Sequence, residues 1–173
     1  DNEETKTVET NFILKINGIE QSTQKLTNII KKAKIKTELS FMKRTYMVDR
    51  NEYTYSFIIN NITDEDINDL TTTIQIPKEI LVTEPKVISN GLGTDDENNT
   101  TIEVNDNNLL TFNMKTLKSG QQAEFEFLAK VTTLDIIDSS IDIFANTFVD
   151  NETYKSNIAK NKMESDEKDI PVN

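Results

Sequence analysis

Two short stretches of this sequence concentrate oxygen ligands. Asp64, Asp66 and Asn68 stand at alternate positions in TDEDIND, and Asp95, Asp96 and Asp106 mark a second acidic region together with Glu97. Carboxylates and amides grouped in this way suit a hard cation, and calcium takes six to eight oxygens at once. These six residues are the candidate metal ligands, and calcium is the one ion the sequence suggests. The ordinary alternative is a pair of solvated acidic loops. The EF-hand pattern is not met: Asp69 stands where glycine is required, and Gln75 where a bidentate glutamate belongs.

Other chemistry is sparse. Histidine, cysteine and tryptophan are all absent. That removes thiol nucleophiles, imidazole bases, Ser-His-Asp triads and nitrogen or sulfur metal sites together. Gly91-Leu92-Gly93 lacks the lysine and the following helix of a phosphate loop. We expect no enzyme and no cofactor apart from calcium. The net charge of −11, from 30 acids against 19 bases, argues against nucleic acid and anionic lipid as partners. Lys25, Lys31, Lys32, Lys34, Lys36, Lys43, Arg44 and Arg50 face only Glu38 and Asp49 between residues 25 and 50. Eight cations against two acids make that segment +6 and leave −17 for the rest. It reads as a solvated strand face or as a docking stripe for an acidic neighbour, such as the next module of an array.

The elements that would position these residues are strands. Tyr53, Tyr55, Phe57 and Ile59 alternate with Thr54, Ser56 and Ile58, and Leu70, Thr72, Ile74 and Ile76 alternate in the same way up to Pro77. Such a period of two gives a strand one apolar and one wet face. The pattern recurs at residues 35–41, 80–90, 101–104, 109–114, 123–131, 141–149 and 154–158, and Pro85 assigns residues 80–90 to a sheet edge. Residues 11–16 form a further strand, Asn17-Gly18 is a hairpin turn, and residues 1–9 are acidic and frayed. Residues 22–33 fit two readings. Leu26, Ile29, Ile30 and Ala33 have helical spacing after Ser22, yet the same residues could return as the second strand of the hairpin. We prefer the strand. Short strands with no long helical segment between them predict an all-β, antiparallel Ig-like β-sandwich.

An internal echo supports that preference. Thr27-Asn28-Ile29-Ile30-Lys31 is similar to Ser156-Asn157-Ile158-Ala159-Lys160, and each follows a strand and an Asn-containing turn. The division that follows is an N-terminal hairpin over residues 1–31, the tail of a preceding repeat, then one module over 32–163 and a charged linker over 164–173. A chain of 173 residues suffices for one such domain without disulfides. No apolar run approaches the ~20 residues of a spanning helix, so direct membrane insertion is not expected. The opening DNEE, without initiator Met or signal segment, fits a processed or excised piece.

Four stretches together resemble a known family: YTYSFIINNIT at 53–63, LTTTIQIP at 70–77, LTFNMKTLKSGQQAEFEFLAKV at 110–131 and ANTFVDNETYKSNI at 145–158. Their order resembles the bacterial conserved-repeat surface domain, with landmarks at Tyr55, Asn60, Pro77, Leu117, Gly120 and Asn157. Residues 49–52 depart from the family's Pro-Gly-Asp turn, and residues 73–76 lack its usual Asp before the proline. The resemblance implies an Ig-like sandwich, arranged in tandem, on exported proteins of Gram-positive bacteria. It carries no catalytic residues. A further hypothesis from the resemblance is the intramolecular isopeptide bond of similar pilin-like sandwiches. That bond would need Lys36 or Lys43, Asn146 or Asn157, and Glu124 or Glu126 as acid, although Lys36 and both glutamates fall on wet strand faces.

Two functions follow as expectations. One is a non-catalytic stalk or spacer module on the bacterial cell surface or cell wall, whose partners are neighbouring modules of its own chain. The other is an adhesin module that binds a host protein or glycan through its end loops, with or without calcium. Tyr53 and Tyr55 belong to the core by alternation, which leaves only Tyr46 and Tyr154 for a sugar platform.

Overall fold

A computed structural model describes residues 5–43, 52–94, 97–132 and 140–162. The chain divides into two compact units, Asp1–Lys34 and Ile35–Asn173.

The first unit is a single antiparallel hairpin of β1 (Thr5–Ile16) and β2 (Ile19–Lys31). Strand pairing reaches back to Thr5, into the acidic segment that charge alone marked as frayed. Asn17 and Gly18 both take positive φ, 51° and 80°. That is the two-residue turn whose twist matches the flanking strands. The turn sends residues 19–31 back along β1, so their amides and carbonyls pair across the hairpin, and the helical spacing of Leu26, Ile29 and Ile30 has no consequence. Glu9 and Lys25 form an ion pair at 2.7 Å on one face.

The second unit is an antiparallel sandwich. One sheet has the order β3-β4-β9-β6 and the other β12-β11-β5-β8-β7. Their ranges are β3 (Ile35–Lys43), β4 (Glu52–Asn61), β5 (Ile67–Gln75), β6 (Ile80–Asn90), β7 (Thr100–Val104), β8 (Leu109–Leu117), β9 (Gln122–Val131), β11 (Ala145–Val149) and β12 (Glu152–Lys155). A third, two-stranded pairing joins β10 (Ser140–Ile143) to β13 (Ala159–Lys162). β4 alternates strictly between half-buried and buried along its whole length, as its period of two requires. The inward residues of both sheets meet in one core. Phe112 of β8 stacks on Phe125 of β9 across the two sheets at 4.5 Å, and Tyr55 stacks on its strand partner Phe127 at 5.1 Å. Aromatic pairs at these separations add about 0.5–1.5 kcal/mol beyond the area they bury.

The stretches 141–149 and 154–158 are each broken rather than continuous. Phe144 separates β10 from β11, and residues 156–158 separate β12 from β13. The break has a physical purpose. Residues 140–162 form one long hairpin whose turn half joins β5 in the five-stranded sheet, while its other half pairs within itself beside β3. The Lys155 ammonium lies 3.8 Å from the centre of the Phe144 ring at this bend.

Ser156 and Asn157 hold the bend. The Ser156 amide donates to the Ala145 carbonyl at 2.9 Å, and the Ala145 amide donates to Ser156 Oγ at 2.9 Å. Asn157 takes both backbone groups of Leu39 in β3. The Leu39 amide donates to Asn157 Oδ1, and Asn157 Nδ2 donates to the Leu39 carbonyl, each at 2.8 Å. One side chain thereby closes part of an open sheet edge. The opposite edge of that sheet is β6, as Pro85 predicted. Its register shifts between Thr83 and Lys86 and again between Val87 and Ser89.

Tyr55 is fully buried. Burial pushes its phenol above the ordinary value of 10.0, with a hydrogen bond from Asn161 opposing and the neighbouring Tyr53 adding. A raised folded pKa means stability that is complete below pH ~10 and lost as the pH climbs through the folded value. Tyr55→Phe removes that titration. Urea melts at pH 9 and pH 11 are expected to show a smaller alkaline loss in the variant than in the parent; equal losses would refute this account of Tyr55.

Candidate functional site

Four of the six predicted ligands fall among the described residues, and the β5–β8 register fixes which end of the sandwich each occupies. Ile67 pairs with Leu117 at one end, and Gln75 with Leu109 at the other. Asp64 and Asp66 lie in the β4–β5 loop and Asn68 at the start of β5, all at the Leu117 end. Asp106 lies in the β7–β8 turn, at the Leu109 end. The strand length therefore separates Asp106 from the first cluster. Asp95 and Asp96 lie outside the described residues. Among the described residues, no group of three or more carboxylate, imidazole or thiol side chains is gathered closely enough to hold a metal ion.

The polar atoms at the Leu117 end are engaged with one another. Asp66 Oδ1 accepts the Ser119 amide at 2.9 Å, and Asn68 Oδ1 accepts the Thr116 hydroxyl at 2.9 Å. Ser119 Oγ donates to the Thr63 carbonyl at 3.0 Å. The centre of the arrangement is Asn61, buried at 3 % exposure. Its Nδ2 donates to the Glu65 and Leu117 carbonyls at 2.7 and 3.0 Å, and its Oδ1 accepts the Thr63 amide and hydroxyl at 3.0 and 2.8 Å. Asn99 does similar work nearby. It donates to the Asn90 and Thr116 carbonyls and accepts the Thr116 amide. Gly91 packs against Leu117 here, where a Cβ would come within 2.5 Å of Leu117 Cδ1 and the backbone has φ of 75°. At the other end, Asn108 Nδ2 reaches the carbonyls of Pro77 and Ile80, at 3.1 and 3.0 Å. The Gln75 amide donates to Asn107 at 2.9 Å.

These asparagines were not singled out from the sequence, which pointed to Asn60. Asn60 pairs with Lys36 and Gln122 in the sheet ladder. The signal for Asn61 lay in phase: the alternation of Tyr53, Tyr55, Phe57 and Ile59 puts position 61 inward, and an inward amide two residues before Thr63 has a turn to bond.

Four of the isopeptide candidates, Glu124, Glu126, Lys36 and Asn157, are engaged elsewhere or exposed. Glu124 and Glu126 lie on the outer face, where Glu124 accepts the Ser56 hydroxyl and Glu126 pairs with Lys86 at 3.0 Å. Lys36 is exposed, and the Asn157 amide is committed to Leu39. Tyr154 packs partly against the core with its hydroxyl on Glu152, and Tyr46 lies outside the described residues.

Neither a family model nor a curated protein matches this chain. Solved structures do. The full-length major pilin SpaD of Corynebacterium diphtheriae aligns at a TM-score of 0.59 and 17 % identity, over 73 % of this chain and 34 % of its own. BcpA, the major pilin subunit of Bacillus cereus, aligns at 0.59 and 11 %, over 92 % and 48 %. The N-terminal domain of a Streptococcus gordonii adhesin aligns at 0.59 and 15 %, over 75 % and 33 %. The chain thus spans between a third and a half of these structures.

Asn61→Ala leaves buried carbonyl and amide groups without partners and should cost roughly 2–3 kcal/mol. Asn60→Ala should stay within about 0.5 kcal/mol. Denaturant titration of the two variants checks this ordering; equal losses would contradict it. In fold, this chain is similar to modules of Gram-positive pilins and adhesins.

Proposed function

We propose that this chain is a non-catalytic Ig-like module of a Gram-positive cell-surface protein, of the conserved-repeat kind, and that it serves as a spacer in a tandem array. The observation that carries this reading is where the sandwich begins and ends. β3 starts at Ile35, opposite Asn61, at the Leu117 end. β11 runs against β5 toward that same end, so β12 and β13 run away from it. Asn157 sits level with Leu39, and Asn161 reaches Tyr55, which pairs with Phe41 farther along β3. The module is therefore entered at one end and left at the other. Strands of nine or ten residues make each step of such an array about 30 Å long.

The hydrogen bonds that engage Asn61, Thr63, Asp66, Asn68 and Ser119 at the Leu117 end support the same reading, since an adhesive surface there would leave such groups to a ligand. On this proposal the module lies outside the cell, a reading that the fold likeness to pilin and adhesin modules supports. Neighbouring modules of the same polypeptide are its partners.

The test is binding of the purified, labelled protein to an array of matrix proteins and glycans, in calcium and in chelator. The spacer reading expects no saturable binding in either buffer. Saturable binding to one ligand would overturn it in favour of the adhesin, and loss of that binding in chelator would assign the site to the acidic loops.

A further inference from the structure

The hairpin of β1 and β2 carries a face that nothing in its own unit covers. Pairing puts Val8, Phe12, Leu14, Ile16, Ile19 and Leu26 on one side, with Thr10, Ser22, Gln24 and Asn28 between them. Phe12, Leu14, Ile16, Ile19 and Leu26 are between 47 and 65 % exposed. Glu9, Asn11, Lys15, Glu20, Thr23 and Lys25 take the other side together with Ile13. Five half-exposed large side chains present on the order of 500 Å², near the upper end for a lone monomer surface. An isolated two-stranded hairpin is marginal in water. The face is a core face without its core.

The sandwich holds a hairpin of the same design. Residues 140–162 turn through Asp150 and Asn151, both at positive φ (47° and 65°), as Asn17 and Gly18 are. Each hairpin slips register by one residue, with the extra residue on its return strand. In the sandwich that hairpin is the last element, and it buries Ile141, Ile143, Ala145, Val149 and Ala159 in the core. In the first unit the hairpin comes immediately before β3, across the three residues 32–34. The order is that of one module's closing hairpin followed by the next module's opening strand. The five-residue echo itself does not carry this comparison: Ser156 and Asn157 sit at a bend, whereas Thr27 and Asn28 sit in regular pairing.

Charge and extent agree. Residues 5–31 hold four lysines against two glutamates, or +2, whereas residues 35–162 hold 12 cations against 21 acids, or −9. A basic hairpin suits an acidic sandwich of this kind. Residues 35–173 are 139 of the 173, about 80 % of the chain, so the alignment to BcpA over 92 % takes in part of the hairpin.

We infer that residues 5–31 are the closing hairpin of a second sandwich of this kind, placed before them in the same polypeptide, and that Val8, Phe12, Leu14, Ile16, Ile19 and Leu26 dock on the apolar inner face of its sheets. The inference rests on the tandem arrangement proposed above but not on the spacer role, because an adhesin array would be built in the same way.

Hydrogen exchange tests it, comparing the 173-residue chain with the form extended by the ~130 residues that the inference places before Asp1. Amides of 5–31 should exchange at least ~100-fold more slowly in the extended form. In that form a Phe12→Asp, Leu14→Asp double variant should abolish the protection there while residues 35–162 keep theirs. Equal exchange in both forms would overturn the inference. So would protection of 5–31 in the short chain that rises with concentration, since the occupant would then be a second copy. Neither failure would touch the binding test of the spacer reading, which is scored on ligands.

Discussion

A side-chain amide makes the two hydrogen bonds that a neighbouring strand would otherwise have made. Asn157 joins the last hairpin of the sandwich to Leu39 in its first strand, and among the described residues no strand extends the sheet ladder beyond β3 at that edge. The partner groups are backbone N–H and C=O, which must be paired wherever water is excluded. The clasp fixes how the closing hairpin divides between the sheets. It also brings the first and last strands side by side, running in the same direction. The opposite-ended entrance and exit, and with them the spacer reading, depend on this arrangement.

The remaining edges are treated by other means. β6 is irregular through Pro85 and two register shifts, while β7 and β12 are only five and four residues long. A module strung beside others must not add its edges to theirs, and short, bent or capped edges meet that need. The hairpin of residues 5–31 is the exception. It is long and apolar on one side, with a single register shift between Leu14 and Lys15, and this contrast supports the inference that it belongs to a second sandwich.

Strand positions were legible because burial enforces a period of two, and Tyr53 to Ile59 show it without interruption. Pro85 gave the edge and Asn17-Gly18 the hairpin, both through backbone chemistry that does not depend on distant contacts. The asparagines were harder to read. Asn61, Asn99, Asn108 and Asn157 bond to backbone atoms that are 4, 17, 28 or 118 positions away. Asparagine is also a common turn residue, so its presence between strands says little. The breaks at Phe144 and at 156–158 escaped for a related reason: alternation continues across them, and only the pairing of one hairpin with two sheets reveals the bend. The acidic residues illustrate the reverse. Their sequence spacing suggested a shared site, yet the length of β8 stands between Asp66 and Asp106.

Force applied through Ile35 and Lys162 loads β3 and β13 in shear, with the Asn157 clasp between them. Single-molecule extension of Asn157→Ala beside the parent tests this most directly, since forced unfolding follows the unfolding rate. Loss of two hydrogen bonds worth roughly 1–2 kcal/mol in sum should lower the unfolding force, with Asn60→Ala unchanged. Equal forces for Asn157→Ala and the parent would show that the clasp does not bear the load, and the account of the closing hairpin would fail.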